Sequence, residues 1–75
     1  MKVIVTGASR GIGRGIASVL GREGFSLGLA ARSKDELGAL ANAINEHGGT
    51  AVPWPCDIRD AEAVRQMVDG LAEQM

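Results

Sequence analysis

Along this chain the apolar positions keep two different periods, and each change of period marks a new element. Lys2-Val3-Ile4-Val5-Thr6 is short, apolar, β-branched and ended by glycine, which predicts a fully buried parallel strand. From Ile12 to Glu23 the spacing turns helical. Ile12, Ile16, Val19 and Leu20 fall at i, i+4, i+7 and i+8, a stripe for one face of a sheet. Gly24 stands just beyond, where a left-handed cap is expected. Gly15 and Gly21 lie inside this helix, each costing about 1 kcal/mol relative to alanine, which close packing on the strand would partly offset.

Phe25–Ala31 reads as the second strand, its period blurred by Gly28 and small alanines, as expected where helices cover both faces. Ser33 predicts an N-cap for the next helix, with Asp35 and Glu36 in the first turn where the helix dipole favours acids. Leu37, Leu40, Ala41 and Ile44 mark its buried face, and His47-Gly48-Gly49 its stop. Thr50–Cys56 is the third strand. Asp60–Met75 follows as a helix with Val64, Met67, Val68 and Leu71 spaced to pack and Gly70 as an interruption.

The prolines place the third strand. Pro53 and Pro55 have the same parity, so both missing N–H groups fall on one lateral side, which is tolerated where that side faces solvent. The strand is therefore expected at a sheet edge, donating from residues 52, 54 and 56 to a single neighbour. Val52, Trp54 and Cys56 would share one face, and Ala51, Pro53 and Pro55 the other. Three βα units with short connections predict a right-handed, Rossmann-like doubly wound α/β portion, βαβαβα, with strand order 3-2-1.

Between the first strand and helix stands Thr6-Gly7-Ala8-Ser9-Arg10-Gly11-Ile12-Gly13. A turn this tight uses backbone angles that glycine reaches most cheaply, and glycine leaves no Cβ in the way of an incoming phosphate. The next helix start offers unpaired N–H groups and the positive end of its dipole to an anion. The plain alternative is a sharp βα turn and nothing more. The spacing is TGxxxGxG rather than the general GxGxxG fingerprint, and in this strand–turn–helix context it resembles the short-chain dehydrogenase/reductase family. The resemblance continues through Ala30-Ala31-Arg32 and Cys56-Asp57-Ile58 and covers the first part of that family's domain.

The resemblance implies an oxidoreductase that moves hydride between a nicotinamide and a carbonyl or alcohol carbon. It also implies a Tyr-x-x-x-Lys pair, assisted by serine, for the proton. The chain has no tyrosine, and its lysines, Lys2 and Lys34, sit before the first strand and at the start of the second helix. The 75 residues alone are thus expected to be inactive, the N-terminal part of a longer single domain.

Cofactor choice rests on charge. The ordinary fingerprint wants an acid about 20 positions past the glycines for a free ribose 2′-hydroxyl. Here the second strand ends Ala30-Ala31-Arg32-Ser33, without a carboxylate. A 2′-phosphate would be repelled by an acid and held by guanidinium. Arg32, Ser33 and Arg10 are placed for it, and basic residues at both sites resemble the family's NADP-preferring members. NADP(H) is expected over NAD(H), although singly each arginine could be a solvated surface charge. Asp35 and Glu36 fit better as helix-start residues than as the ribose acid. By the resemblance, Asp57 faces the adenine ring with Ile58 walling its pocket; an acid satisfying backbone N–H groups near a helix start is the equal alternative. The expected cofactor-binding set is Gly7, Ser9, Arg10, Gly11, Ile12 and Gly13 with Arg32, Ser33, Asp57 and Ile58.

Composition narrows the partners. Eight basic and nine acidic residues, with no basic run, argue against nucleic acid. The N-terminus lacks the long apolar core of a signal peptide, and no run is long enough to span a bilayer. A single cysteine fits a reducing cytoplasm. Cys56 has no cation beside it and reads as a small buried residue; His47 lies at a helix C-terminus without metal-ligand companions; Trp54 should pack beneath a helix. The expected partners are a small carbonyl or alcohol substrate and either a homo-oligomer or a chain pairing along the first strand. A non-catalytic dinucleotide-binding or interaction module, and a fold that binds no dinucleotide, stand as alternatives.

Overall fold

A computed structural model describes residues 1–75. Three strands, β1 (Lys2–Thr6), β2 (Ser26–Ala31) and β3 (Thr50–Pro55), alternate with three helices, α1 (Gly11–Arg22), α2 (Lys34–Glu46) and α3 (Ala61–Gln74). The sheet is parallel with β2 central, in the expected order 3-2-1. Val5 stands beside Leu29, and Leu29 beside Pro53, so one row of side chains crosses all three strands.

The two faces of the sheet carry separate cores. On one, Leu27, Leu29 and Ala31 of β2 meet Ala17 of α1 and Leu37, Leu40, Ala41 and Ile44 of α2. On the other, Ala30 and Cys56 meet Met67 and Leu71 of α3, with Val52 and Trp54 against them. The alternation read along β3 is therefore the real one. Gly28 explains why α3 can sit so close: a Cβ there would lie 2.7 Å from Leu71 Cδ1.

Helix ends follow from local chemistry. Gly24 and Gly48 have φ of +89° and +87°, and each closes a double backbone bond characteristic of a Schellman motif. After α1, Phe25 N–H donates to Leu20 C=O and Gly24 N–H to Gly21 C=O; after α2, Gly49 and Gly48 bond Ile44 and Asn45 in the same way. Asn45 also ties the α2 end to β3 through both directions of a side-chain bond with the Ala51 backbone.

Several packing expectations are corrected. β1 is not fully buried: Val5 is, but Ile4 is 38% exposed, because β1 has only β2 beside it. The α1 stripe is also displaced. Ile12, Ile16 and Val19 are exposed, at 84%, 48% and 47%, while Ala17 and Gly21 are the buried residues and Leu20 is half-buried. Small side chains let α1 close on its neighbours. A Cβ on Gly21 would meet Ile44 Cγ2 at 2.9 Å, so the bulky row is turned aside. Gly15, by contrast, has nothing within 4 Å, and no packing offsets its helix cost. Val68 is exposed because α3 meets the sheet through Met67 and Leu71. Gly70 does not interrupt α3; a Cβ there would overlap the Trp54 ring, so the glycine is the seat on which the indole lies beneath the helix.

Candidate functional site

The carboxyl ends of the three strands open into one cleft of about 510 Å³. From the β1–α1 turn come Gly7, Ser9 and Arg10; after β2 come Ala31, Arg32 and Ser33; after β3 come Cys56, Asp57, Ile58 and Arg59. A crevice outside the strand ends is where open parallel sheets hold ligands, and its size suits a cofactor. Gly11, Ile12 and Gly13 of the expected set do not line it. Ile12 points into solvent, and Gly13 lies in the seam between turn and helix.

Each turn glycine has an identifiable reason. Gly7 and Gly11 take φ of +64° and +56°, which side chains rarely adopt. Gly13 has no such angle; a Cβ there would overlap the Gly7 carbonyl oxygen and come within 2.8 Å of its carbon. The turn is also anchored to the sheet, Ala8 N–H donating to Ala30 C=O at 3.2 Å.

The three helix starts differ. α2 is capped by Ser33, whose hydroxyl accepts from Glu36 N–H at 3.4 Å, and has Asp35 and Glu36 in its first turn. α3 is capped by Asp60, accepting from Glu62 and Ala63 N–H, with Glu62 in its first turn. α1 has Arg10 at the cap position, no side-chain cap bond and no acid in its first turn. Its free N–H groups and dipole are thus left to the solvent beside the cleft.

Cations and carboxylates around the cleft are partly paired. Arg10 Nε lies 3.2 Å from Glu36 Oε2, two exposed side chains brought together across 26 residues by the α2 start. Asp57 accepts from Arg59 three times: from the backbone N–H at 3.0 Å, Nε at 3.1 Å and Nη2 at 3.0 Å. The side-chain bonds from Arg59 lower the Asp57 pKa from 3.8 to about 2, helped by the Arg59 backbone bond and the charges of Arg59 and Arg32. Arg32 forms no ion pair. Asp57 therefore does satisfy a backbone N–H ahead of α3, while the cap itself is Asp60.

Arg59 escaped the sequence reading. Its signal was an arginine two residues after an aspartate, the spacing at which an Asp side chain bonds the backbone in a turn. Cys56 is buried as expected, and its N–H extends the β3 ladder to Ala31 C=O at 2.8 Å. His47 stays outside the cleft, its Nδ1 2.8 Å from the Ala43 carbonyl oxygen. No helix is long and apolar enough to cross a membrane.

Known proteins share both the sequence and this geometry. A fatty acyl-CoA reductase of Mycobacterium tuberculosis is 36% identical over 74 residues, 99% of this chain and 25% of the relative. The structure of an alcohol dehydrogenase from the archaeon Thermococcus sibiricus, complexed with 5-hydroxy-NADP, is 37% identical with a TM-score of 0.94, covering 99% of this chain and 32% of that one. A metagenomic short-chain oxidoreductase in complex with NADP is 36% identical with a TM-score of 0.91, covering 99% and 34%. The chain thus spans about a quarter to a third of the length of these relatives. The family model for short chain dehydrogenase matches residues 1–75, and with a sheet order, a glycine turn and a strand-end cleft that agree with it, the chain belongs to the short-chain dehydrogenase/reductase family.

Proposed function

We propose that this chain is the cofactor-binding part of an NADP(H)-dependent oxidoreductase acting on a carbonyl or alcohol. One observation carries the cofactor assignment: at the end of β2 the cleft presents Arg32, a cation without a carboxylate partner, where an NAD-binding site would present an acid. Two similar solved structures are NADP-type complexes, which supports the same reading.

The residues fit such a group. Gly7 leaves the lip of the cleft open to a pyrophosphate, Gly13 lets α1 close on the turn, and the uncapped α1 start supplies N–H donors and a favourable dipole. Arg32 would hold a ribose 2′-phosphate, and the Ser33 hydroxyl, which accepts from Glu36 N–H, keeps its own proton to donate toward the same group. Asp57 and Ile58, which line the same cleft, would border the adenine. The bound cofactor supplies hydride chemistry, and the contribution of these 75 residues is to bind and orient it. With no tyrosine in the chain, the family's tyrosine-based proton donor has to come from outside these residues.

The test is equilibrium titration of the full-length protein with NADPH and NADH, each monitored by cofactor fluorescence. Arg32→Ala should weaken NADPH by about 1–3 kcal/mol, the scale of a charged hydrogen bond, and leave NADH nearly unchanged. Equal losses for both would refute the 2′-phosphate assignment.

A further inference from the structure

Three arginines reach the cleft, and they are not equivalent. Arg10 is engaged by Glu36 and Arg59 by Asp57, which leaves Arg32 as the one with no ion pair. The Asp57–Arg59 contact is two-pronged, Nε on one carboxylate oxygen and Nη2 on the other, with the Arg59 N–H adding a third bond to Oδ1. Both carboxylate oxygens are therefore engaged by Arg59. Asp57 and Arg32 follow neighbouring strands and line the same cleft, and the charge of Arg32 already acts on the Asp57 carboxyl. A carboxylate released at Asp57 would draw Arg32 toward itself and repel any phosphate that Arg32 was to hold.

We propose that Arg59 is a positioning residue for cofactor selectivity: by occupying the Asp57 carboxylate it keeps Arg32 free for a ribose bearing a 2′-phosphate. The inference rests on the reading of the cleft as an NADP(H) site. It assigns Arg59 an indirect role, through Asp57, and not a contact with the phosphate. Lysine could not take its place, because a point charge lacks the planar fork that covers both oxygens.

The readout is the ratio of NADH to NADPH dissociation constants, measured by fluorescence titration of the full-length protein. A ratio cancels any effect of Asp57 on the adenine, which the two cofactors share. Arg59→Ala should lower this preference about three- to tenfold, between the effect of an exposed ion pair and that of a charged hydrogen bond. Adding Asp57→Asn to Arg59→Ala should restore it to within about twofold, since no carboxylate is left to compete. Arg59→Lys should lower the preference in the same direction, since lysine cannot cover both carboxylate oxygens, which keeps the test decisive even if Arg59→Ala folds poorly. An unchanged ratio in Arg59→Ala overturns the proposal, and so does a double variant as unselective as the single one, because Arg59 would then touch the phosphate itself. If Arg32→Ala is selective while Arg59→Ala is not, the role of Arg59 falls alone. If the unmodified protein binds neither dinucleotide, the reading of the cleft falls and takes this inference with it.

Discussion

Adding one methyl group to α1 at Gly13 or at Gly15 makes the same chemical change two residues apart, with opposite consequences. At Gly15 the new Cβ has nothing within 4 Å, so only helix propensity changes, and Gly15→Ala should stabilise by about 1 kcal/mol. At Gly13 the Cβ would overlap the Gly7 carbonyl oxygen and lie 2.8 Å from its carbon and 3.3 Å from Thr6 O. All three neighbours are backbone, so no side chain can swing away. The seam must open by about an ångström to bring the Gly7 oxygen to ordinary contact. Overpacking of this kind costs about 1–3 kcal/mol, and with rigid neighbours the upper end applies. Subtracting the propensity gain of about 1 kcal/mol leaves Gly13→Ala destabilised by roughly 2 kcal/mol.

Urea denaturation of the full-length protein, read from midpoints at constant slope, should therefore separate the two variants by about 3 kcal/mol. The same displacement moves the α1 N–H groups away from the turn, so Gly13→Ala should also weaken NADPH and NADH alike, and Gly13→Val more so. Two variants of equal stability would mean that turn and helix do not meet as the structure has them. Full dinucleotide affinity in Gly13→Val would remove the phosphate from the place assigned to it.

Gly70→Ala should push the Trp54 ring off α3, and because Trp54 is the only tryptophan, a red shift of its emission reports this directly; unchanged emission would contradict the seat described here. Asp57 titrates below its ordinary value, so the stabilisation it provides is present above pH 3.8 and is lost as pH falls toward about 2. Carboxyl-carbon NMR should find its midpoint near 2 and, in Arg59→Ala, shifted upward but still below the ordinary value of 3.8, because Arg32 then faces the carboxylate; identical midpoints would refute the clamp. The 75-residue chain expressed alone should self-associate along β1, whose edge is open and whose Ile4, on the sheet face opposite α1, is 38% exposed. Ile4→Lys should reduce the association seen in sedimentation, whereas a stable monomer with slow amide exchange over residues 3–5 would count against it.

Where the sequence could be read, one residue type had one structural consequence. Pro53 and Pro55 can lie only where their missing donors face no strand, and β3 is indeed at the edge. Ser33 and the glycines at 24 and 48 mark helix ends because their local conformations are energetically distinct. The buried face of α1 was not readable in this way. Two adjacent rows, one bulky and one small, both have helical spacing, and bulk pointed to the wrong one. Which row is buried depends on how closely α1 approaches the Gly7 carbonyl and Ile44, a distance that periodicity does not contain.

The same limit applies, more sharply, to the site. That α1 starts without an acid while α2 and α3 start with Asp35, Glu36 and Glu62 is visible in the residue order, and so is the anion preference that follows. Selectivity for a phosphorylated ribose is a different property, because it depends on which guanidinium remains unpaired. Arg10, Arg32 and Arg59 are chemically identical in the sequence. Folding distinguishes them, by laying the α2 start with Glu36 against Arg10 and by closing a two-residue turn that joins Asp57 to Arg59. Arg32 follows the central strand, past its last paired residue, and neither carboxylate engages it. A substitution that leaves all three arginines in place can therefore still change cofactor preference, provided it frees a carboxylate to reach Arg32.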